Sequence, residues 1–326
     1  MSREARIFVL GSFIVDLAFR CQGMPSNGET IRSDGFVMGP GGKGTNQAVA
    51  ARRSGADVSL MTASGADHFS KLAEDFFESE QINTQYHHRF SDTSTGAAFI
   101  HIDSTTGENR IIVFIGANGS LTTAHAKAAE DKISGCSVFL TQLEQPVETA
   151  LVGLEIARRH GVTTILNPAP ALPLDRAMIG LCDIITPNET ELASLTGMHV
   201  ETDGEVQAAA EALKAMGAGN VVVTLGSRGA YILGSGMNDF IAPFVAPEVV
   251  DTAGAGDAFN GVMASALAFG ASLDFAVARG CAAGALCVAM QGTAPAMPTT
   301  TRIDEFIGTQ LASGNSVTAT LANLQA

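Results

Sequence analysis

The strongest constraint on the fold is a set of short, nearly unbroken apolar runs at 7–10, 58–62, 138–140, 163–166, 183–186 and 221–224. Each is too short for a globular helix and lacks polar alternation, which is the pattern of a strand buried on both faces. Helix patterns lie between them, at 69–80, at 147–160 with Leu151, Leu154 and Ile156 on one side, and at 206–216. Strand alternating with helix requires a mostly parallel sheet with right-handed crossovers. The expected architecture is an α/β, doubly wound sheet with helices on both faces. All 326 residues are expected to form one domain.

Four β-rich stretches break this rhythm, at 13–20, 30–38, 95–102 and 110–115. They come in pairs early in the chain, with turns such as Pro25-Ser26-Asn27-Gly28 and no helix between partners. Such pairs predict a small sheet projecting from the main domain, inserted at about 13–38 and 95–115. It could cover a site as a lid, or join a second copy through a partly apolar face. Ile100, Ile102, Ile111 and Val113 are the candidates for that face, and a homodimer is the expected assembly.

Two glycine turns open into helices. In the first, Asp251-Thr252-Ala253-Gly254-Ala255-Gly256-Asp257 follows a strand-like approach at 244–250 and precedes a helix of small residues. Glycines there let backbone N–H groups face outward, and the helix dipole makes that end positive, so the turn suits an anion. A carboxylate beside an anion site makes chemical sense if a hydroxyl must lose a proton while negative charge builds up next to it. The plainer reading is that Asp251 or Asp257 only caps the helix. The second turn is Gly39-Pro40-Gly41-Gly42-Lys43-Gly44-Thr45-Asn46, before a helix at 47–53. No Lys in the chain is followed by Ser or Thr, and Gln47 stands where a dinucleotide fingerprint needs its third glycine. The turn therefore brings backbone close to a small polar ligand, with Asn46 offering a donor and an acceptor.

Polar residues also gather where the apolar runs end. They are Asp16, Gln142-Leu143-Glu144, Asn188-Glu189-Thr190-Glu191 and the stretch from Thr224 through Leu225, Gly226, Ser227 and Arg228 to Gly229. Taken singly each is a cap or turn, and Asn188 with Glu191 has capping-box spacing. Together at the carboxyl edge of one sheet they suggest a ligand crevice.

The formal net charge of −14 argues against nucleic acid or an anionic membrane as partner. Five cysteines without a C-x-x-C pair indicate neither a zinc site nor a disulfide framework. The N-terminal apolar run is too short for a signal peptide, and a cytoplasmic location is expected. The Ser/Thr/Asn/Ala-rich tail after about Leu311 is expected to be poorly ordered.

The segments GGKGTN (41–46) and DTAGAGD (251–257) resemble the two signatures of the ribokinase, or PfkB, family of sugar kinases, and the likeness extends over nearly the whole chain. The resemblance implies a ribokinase-like fold and ATP-dependent phosphorylation of the primary hydroxyl of a pentose, D-ribose first. Another sugar or nucleoside on the same fold (2-deoxyribose, fructose or adenosine type) is the alternative. It implies Asp257 as base and Gly254, Ala255 and Gly256 as the anion hole. Sugar contacts are implied at Ser12, Phe13, Ile14, Asp16, Gly42, Lys43, Gly44, Thr45, Asn46, Glu144 and Asp257. Nucleotide contacts are implied at Asn188, Thr224 to Gly229, Gly256, Asp257 and Cys281. Glu191 would hold Mg²⁺ through water. A monovalent cation, K⁺, would sit at Asp251, Ala253, Cys287, Met290, Gly292 and Ala296. Three residues depart from the family: Ile14 replaces a common Asn near the sugar, Ala296 a common Ser at the cation, and Cys281 a His or Asn near the adenine.

Overall fold

The computed structural model describes residues 5–106 and 109–312. Its strands are β1 (Arg6–Leu10), β2 (Ile14–Cys21), β3 (Gly35–Gly41), β4 (Asp57–Gly65), β5 (His87–Phe90), β6 (Gly96–Asp103), β7 (Asn109–Phe114), β8 (Val138–Thr141), β9 (Thr163–Leu166), β10 (Ile184–Ile185), β11 (Asn220–Thr224), β12 (Ala230–Gly234) and β13 (Met237–Ile241). Nine of them form one sheet in the order β13-β12-β11-β10-β9-β8-β1-β4-β5. The apolar runs of the sequence are its parallel strands, β1, β4, β8, β9, β10 and β11. Both faces are covered, which explains the unbroken apolar pattern. Ile7 and Val9 of β1 enter one core, while Phe8 and Leu10 enter the other.

The first core is closed by α1 (Lys43–Arg53), α2 (His68–Ser79), α9 (Ala255–Ala268), α10 (Leu273–Cys287) and α11 (Thr300–Ala312). The second lies under α4 (Glu130–Ser134), α5 (Val147–Arg159), α6 (Arg176–Gly180), α7 (Glu189–Thr196) and α8 (Asp203–Ala215), with α3 (Thr123–Ala128) beside α5. No helix among the described residues is long and apolar enough to cross a membrane. The family-like α/β arrangement expected from the strand–helix rhythm is therefore present, with an antiparallel hairpin, β12–β13, added at one edge.

The remaining strands form a second sheet, β3-β2-β6-β7. It is tied to the central sheet at two points. Asn118, fully buried, accepts from Phe13 N (3.1 Å), Thr62 Oγ1 (3.2 Å) and Ala63 N (3.3 Å). Its Nδ2 donates to Phe13 O (2.8 Å) and Ile115 O (2.9 Å), so one side chain joins both ends of the small sheet to β4. Asp67, the N-cap of α2, likewise accepts from Thr95 N (2.8 Å) and Thr95 Oγ1 (2.7 Å) where β6 begins.

Four local expectations need correction. The strand read over 30–38 lies at Gly35–Gly41, so Gly39, Pro40 and Gly41 are strand residues and only Gly42, at φ 89°, makes the turn. Pro40 is tolerated because β3 is an edge strand. Helix α1 consequently starts at Lys43 rather than at residue 47. Residues 244–250 form no strand: the N–H groups of Val250 and Asp251 both bond Val288 O beyond α10, while Val245 and Val249 are exposed. On the small sheet, Ile100 and Ile102 are buried with Ile14 and Ala98 inside the chain. The exposed apolar residues are Phe36, Met38, Ile112 (67% exposed) and Phe114, with Val37, Ile111 and Val113. Register puts Phe36 opposite Phe19 and Ile112 opposite Phe99, which gathers these four on one face. The tail expected to be poorly ordered falls at 313–326, outside the described residues.

Candidate active site

Helices α1 and α9 both start at a glycine with positive φ, Gly42 at 89° and Gly254 at 79°. Their first turns differ in what fills them. At α1 the chain supplies its own partners. Lys43 N donates to Glu144 Oε2 (2.9 Å), Gly44 N to Ser12 Oγ (3.4 Å) and Thr45 N to Ser12 O (2.9 Å). Ser12 Oγ donates in turn to Glu144 Oε2 (2.5 Å), and Thr45 Oγ1 to Ser12 O (2.9 Å). At α9 the first intrahelical bond is Ala258 N to Gly254 O (2.8 Å). The amides of Ala255, Gly256 and Asp257 precede it at the positive end of the helix. The first amides of α9 are thus the ones placed to meet an anion, while Gly41 and Gly44 of the earlier turn pack against their neighbours. A Cβ on Gly44 would lie 2.3 Å from Ser12 N, and one on Gly41 2.2 Å from Asp16 Oδ2.

Asp257 is buried in the first turn of α9. Asn46 Nδ2 donates to its Oδ2 (2.8 Å) and Gln47 Nε2 to its Oδ1 (2.9 Å), both from α1. Asn46 Oδ1 is buried and has no protein partner. Asp16 on β2 accepts from Thr293 Oγ1 (2.7 Å). Burial raises its pKa to about 6, opposed by the Thr293 bond and assisted by Glu144, Asp257 and Asp251. Burial likewise pushes Glu144 and Glu191 above the ordinary carboxylate range, although Lys43 pulls both down. Burial works to lower Lys43, but the carboxylates of Asp257, Glu144 and Glu191 outweigh it and hold the ammonium charged. One cation therefore sits amid several buried acids. This arrangement can bind hydroxyls, accept a proton and receive an anion.

Beside this group, Asn188 caps α7 and accepts from Glu191 N (2.8 Å), while Glu191 Oε2 accepts from Asn188 N (2.9 Å). The capping box read from the spacing exists. Asn188 also bridges Thr224, bringing the end of β11 and the turn at 226–229 to the same edge. Arg228 is paired there with Glu189 (2.5 Å) and Asp203 (2.6 Å). Cys281 lies on α10, and burial pushes its thiol up to about 12. A third group is the loop holding Asp251, whose carboxylate accepts from Ala253 N (3.0 Å) and Gly292 N (3.2 Å). Cys287 Sγ reaches Ala253 O (3.8 Å) and Met290 N bonds Cys287 O (3.0 Å), so these positions share one loop cluster. Ala296 is buried one turn after Thr293.

Some expected positions face elsewhere. The Phe13 ring packs edge-to-face on Phe77 (5.5 Å) in the main core and Leu225 lies in the opposite core, whereas Ile14 shares the Asp16 face of β2 and packs with Ala98, Ile100 and Ile102. Residues that the sequence did not single out for the site also converge on it: Gln47, Asn167, Thr186, Asn260 and Thr293. Their signals were polarity at strand ends or within an apolar helix and, for Asn167 and Thr186, the family likeness of the stretches 167–170 and 185–188.

A family model for pfkB family carbohydrate kinases matches residues 4–300. The chain belongs to that family. This pfkB-family carbohydrate kinase is 38% identical over 307 residues to a ribokinase of Schizosaccharomyces pombe, covering 91% of this chain and 96% of the relative. It is 36% identical over 302 residues to a deoxyribokinase of Salmonella typhimurium, covering 92% and 98%. Among solved structures, an Arabidopsis thaliana ribokinase complexed with ribose and ATP superposes with a TM-score of 0.86 at 28% identity, covering 93% of this chain and 98% of that one. A cavity of about 470 Å³ opens at the opposite edge of the kinase's sheet, lined by Arg158, Asp183, Asn220 and Leu267 among others. None of the candidate site residues lines it.

Proposed function

We propose that this protein transfers the γ-phosphoryl group of ATP to the primary hydroxyl of a pentose, with D-ribose the preferred substrate and ribose 5-phosphate the product. The observation that carries this reading is the buried Asp257 carboxylate in the first turn of α9, beside the amides that precede the helix's first internal bond. A base and an anion hole on adjacent atoms suit attack by a neutral hydroxyl on a phosphoryl group. Asp257 accepts the hydroxyl proton. The amides of Ala255 and Gly256, with the helix dipole, stabilise charge on the transferring group. Lys43, held charged by the acids around it, adds a counter-charge. Asp16, Asn46 and Glu144 take the remaining hydroxyls, with the unpartnered Asn46 Oδ1 as one acceptor. The nucleotide lies over Asn188 and Thr224 to Gly229.

No group of three or more His, Cys, Asp and Glu side chains capable of holding a metal occurs among the described residues. A single carboxylate, Glu191, fits Mg²⁺ held mainly by phosphates and water, which neutralises phosphate charge when bound. K⁺ fits the backbone carbonyls of the 251–253 and 287–292 loops. One hydroxyl is absent because Ala296 supplies none. Initial rates against KCl, at ionic strength fixed with a bulky organic cation, should show activation at lower concentration in Ala296→Ser than in the native chain. Indifference of both proteins to K⁺ would remove the cation. The exposed face around Phe36 and Ile112 supports a homodimer through the small sheets.

A second reading is favoured by Ile14, whose side chain is buried among Ala98, Ile100 and Ile102 and offers no polar group. A pocket lacking one hydrogen-bonding partner discriminates less against a missing hydroxyl, so 2-deoxyribose should also turn over. The test is a sugar and nucleoside panel with coupled ADP detection, run beside Asp257→Asn. Turnover of ribose, with kcat lowered on the order of 10²-fold or more in the variant and ATP binding kept, is expected. Phosphorylation of a hexose or nucleoside but neither pentose would sink the pentose assignment, and near-native kcat in Asp257→Asn would remove the base.

A further inference from the structure

Asp257 is held by a closed circuit of buried side chains. Gln47, fully buried on α1, gives both Nε2 hydrogens away, to Asp257 Oδ1 (2.9 Å) and to Asn167 Oδ1 (3.1 Å). Its Oε1 accepts from Gln142 Nε2 at the end of β8. Asn167, after β9, donates to Thr186 O (3.0 Å). Thr186, after β10, donates from Oγ1 to Asn260 Oδ1 (2.6 Å). Asn260 Nδ2 then donates to Gly256 O (2.8 Å), one residue before Asp257. The circuit leaves α9 through the Asp257 side chain, crosses the ends of two neighbouring parallel strands and returns to the backbone of the anion turn.

Three features fix Gln47 in this circuit. A flipped Gln47 amide would place Oε1 against a carboxylate and its NH₂ against the Gln142 NH₂, so only one orientation satisfies every partner. The side chain is a neutral amide; a glutamate there would set two carboxylates in contact in a buried site. Gln47 is also the point where the helices meet, since a Cβ on Gly261 of α9 would lie 2.4 Å from Gln47 O.

We infer that Gln47 is a positioning residue for the kinase reaction: it anchors Asp257 Oδ1 to the strand ends and leaves Oδ2, beside Asn46, as the oxygen that takes the substrate proton. This rests on the proposed role of Asp257 as base. The reaction geometry needs the carboxylate held relative to the amides of Ala255 and Gly256, because both act on the same transferring group. A shift of about 1 Å in such a group costs on the order of 10²-fold in rate. The circuit couples the carboxylate and the turn to one frame, and Gln47 is its link to the reacting atom.

The experiment is a double-mutant cycle on the full chain, using Gln47→Met, Asp257→Asn and the pair, with ribose and ATP as substrates and thermal unfolding in parallel. Gln47→Met should lower kcat roughly 10- to 100-fold, with KM for ribose and ATP changed less than about 3-fold. In the Asp257→Asn background the same change should lower kcat less than about 2-fold, since no base remains to be oriented. Equal losses in the two backgrounds would mean a merely structural role and would overturn the inference, as would an unchanged kcat in Gln47→Met. If Gln47→Met does not fold, Gln142→Met, which removes the bond to Gln47 and no bond to Asp257, goes through the same cycle. There too a loss confined to the Asp257 background supports the inference, and an equal loss or none overturns it. The base assignment fails separately, by the single variant Asp257→Asn keeping its kcat.

Discussion

Thr293 donates from Oγ1 to Asp16 Oδ2 at 2.7 Å across 277 positions of sequence, pinning the loop before α11 to the second strand of the chain. The bond stabilises an acid that burial raises to about 6 from 3.8. Between those values the folded chain keeps a proton that the unfolded chain has released. The stability contributed by Asp16 is therefore full below about 3.8 and is lost as pH rises through about 6. At neutral pH the ionised group costs up to ~3 kcal/mol, from 1.36 kcal/mol per pKa unit. Asp16→Asn should stabilise the ligand-free protein at pH 7.5 by about 1–3 kcal/mol and by clearly less at pH 5. Urea unfolding at the two pH values measures it. An advantage that does not grow with pH would show that the acid is not the source.

Gly41 faces the same carboxylate. An added Cβ would lie 2.2 Å from Asp16 Oδ2 and 2.5 Å from its Cγ, so Asp16 must move. The backbone at Gly41 is ordinary strand, and the effect is steric alone. Gly41→Ala should raise KM for the sugar about 10-fold, the scale of one misplaced polar contact, while KM for ATP stays put. Equal changes in both constants would point to general disruption.

Asn118 holds the small sheet to β4 with bonds to two backbone carbonyls, two backbone amides and a hydroxyl. Asn118→Ala leaves several of these buried groups unpaired and should cost about 2–4 kcal/mol. Urea unfolding is the measurement. A loss under about 1 kcal/mol would mean that water or neighbours take over the bonds.

The exposed face of the small sheet supplies the dimer prediction. Ile112→Asp combined with Phe114→Asp should convert a dimer to a monomer in multi-angle light scattering without changing the thermal unfolding of the monomer. A native chain already monomeric at working concentration would leave this sheet acting on its own domain alone.

The central sheet was legible because strands buried on both faces must be apolar throughout, as Ile7 and Phe8 show by entering opposite cores. The β12–β13 hairpin was missed although its signal was present. Ser235-Gly236, both with positive φ, is a two-residue turn of the kind that hairpins prefer. Residues 244–250 misled because apolar composition marks a strand only where a partner edge exists. At the site, Asp257 and Gly254 were readable from a local motif. Gln47 was not, because its role lies in Asp257, 210 positions away, and nothing local to α1 announces that partner. Thr293 is hidden for the same reason.

The contact of Gly261 with Gln47 has a further consequence for timescales. Two helices whose backbones touch cannot slide or part without opening the core between them. In hydrogen exchange, the amides around 47–51 and 258–264 should therefore open only with the whole molecule. The small sheet, held at Asn118 and Asp67 and exposed along its outer strands, should exchange through cheaper local openings. The molecule should then run on two clocks, a slow one for the paired helices that carry Gln47 and Asp257 and a faster one for the small sheet.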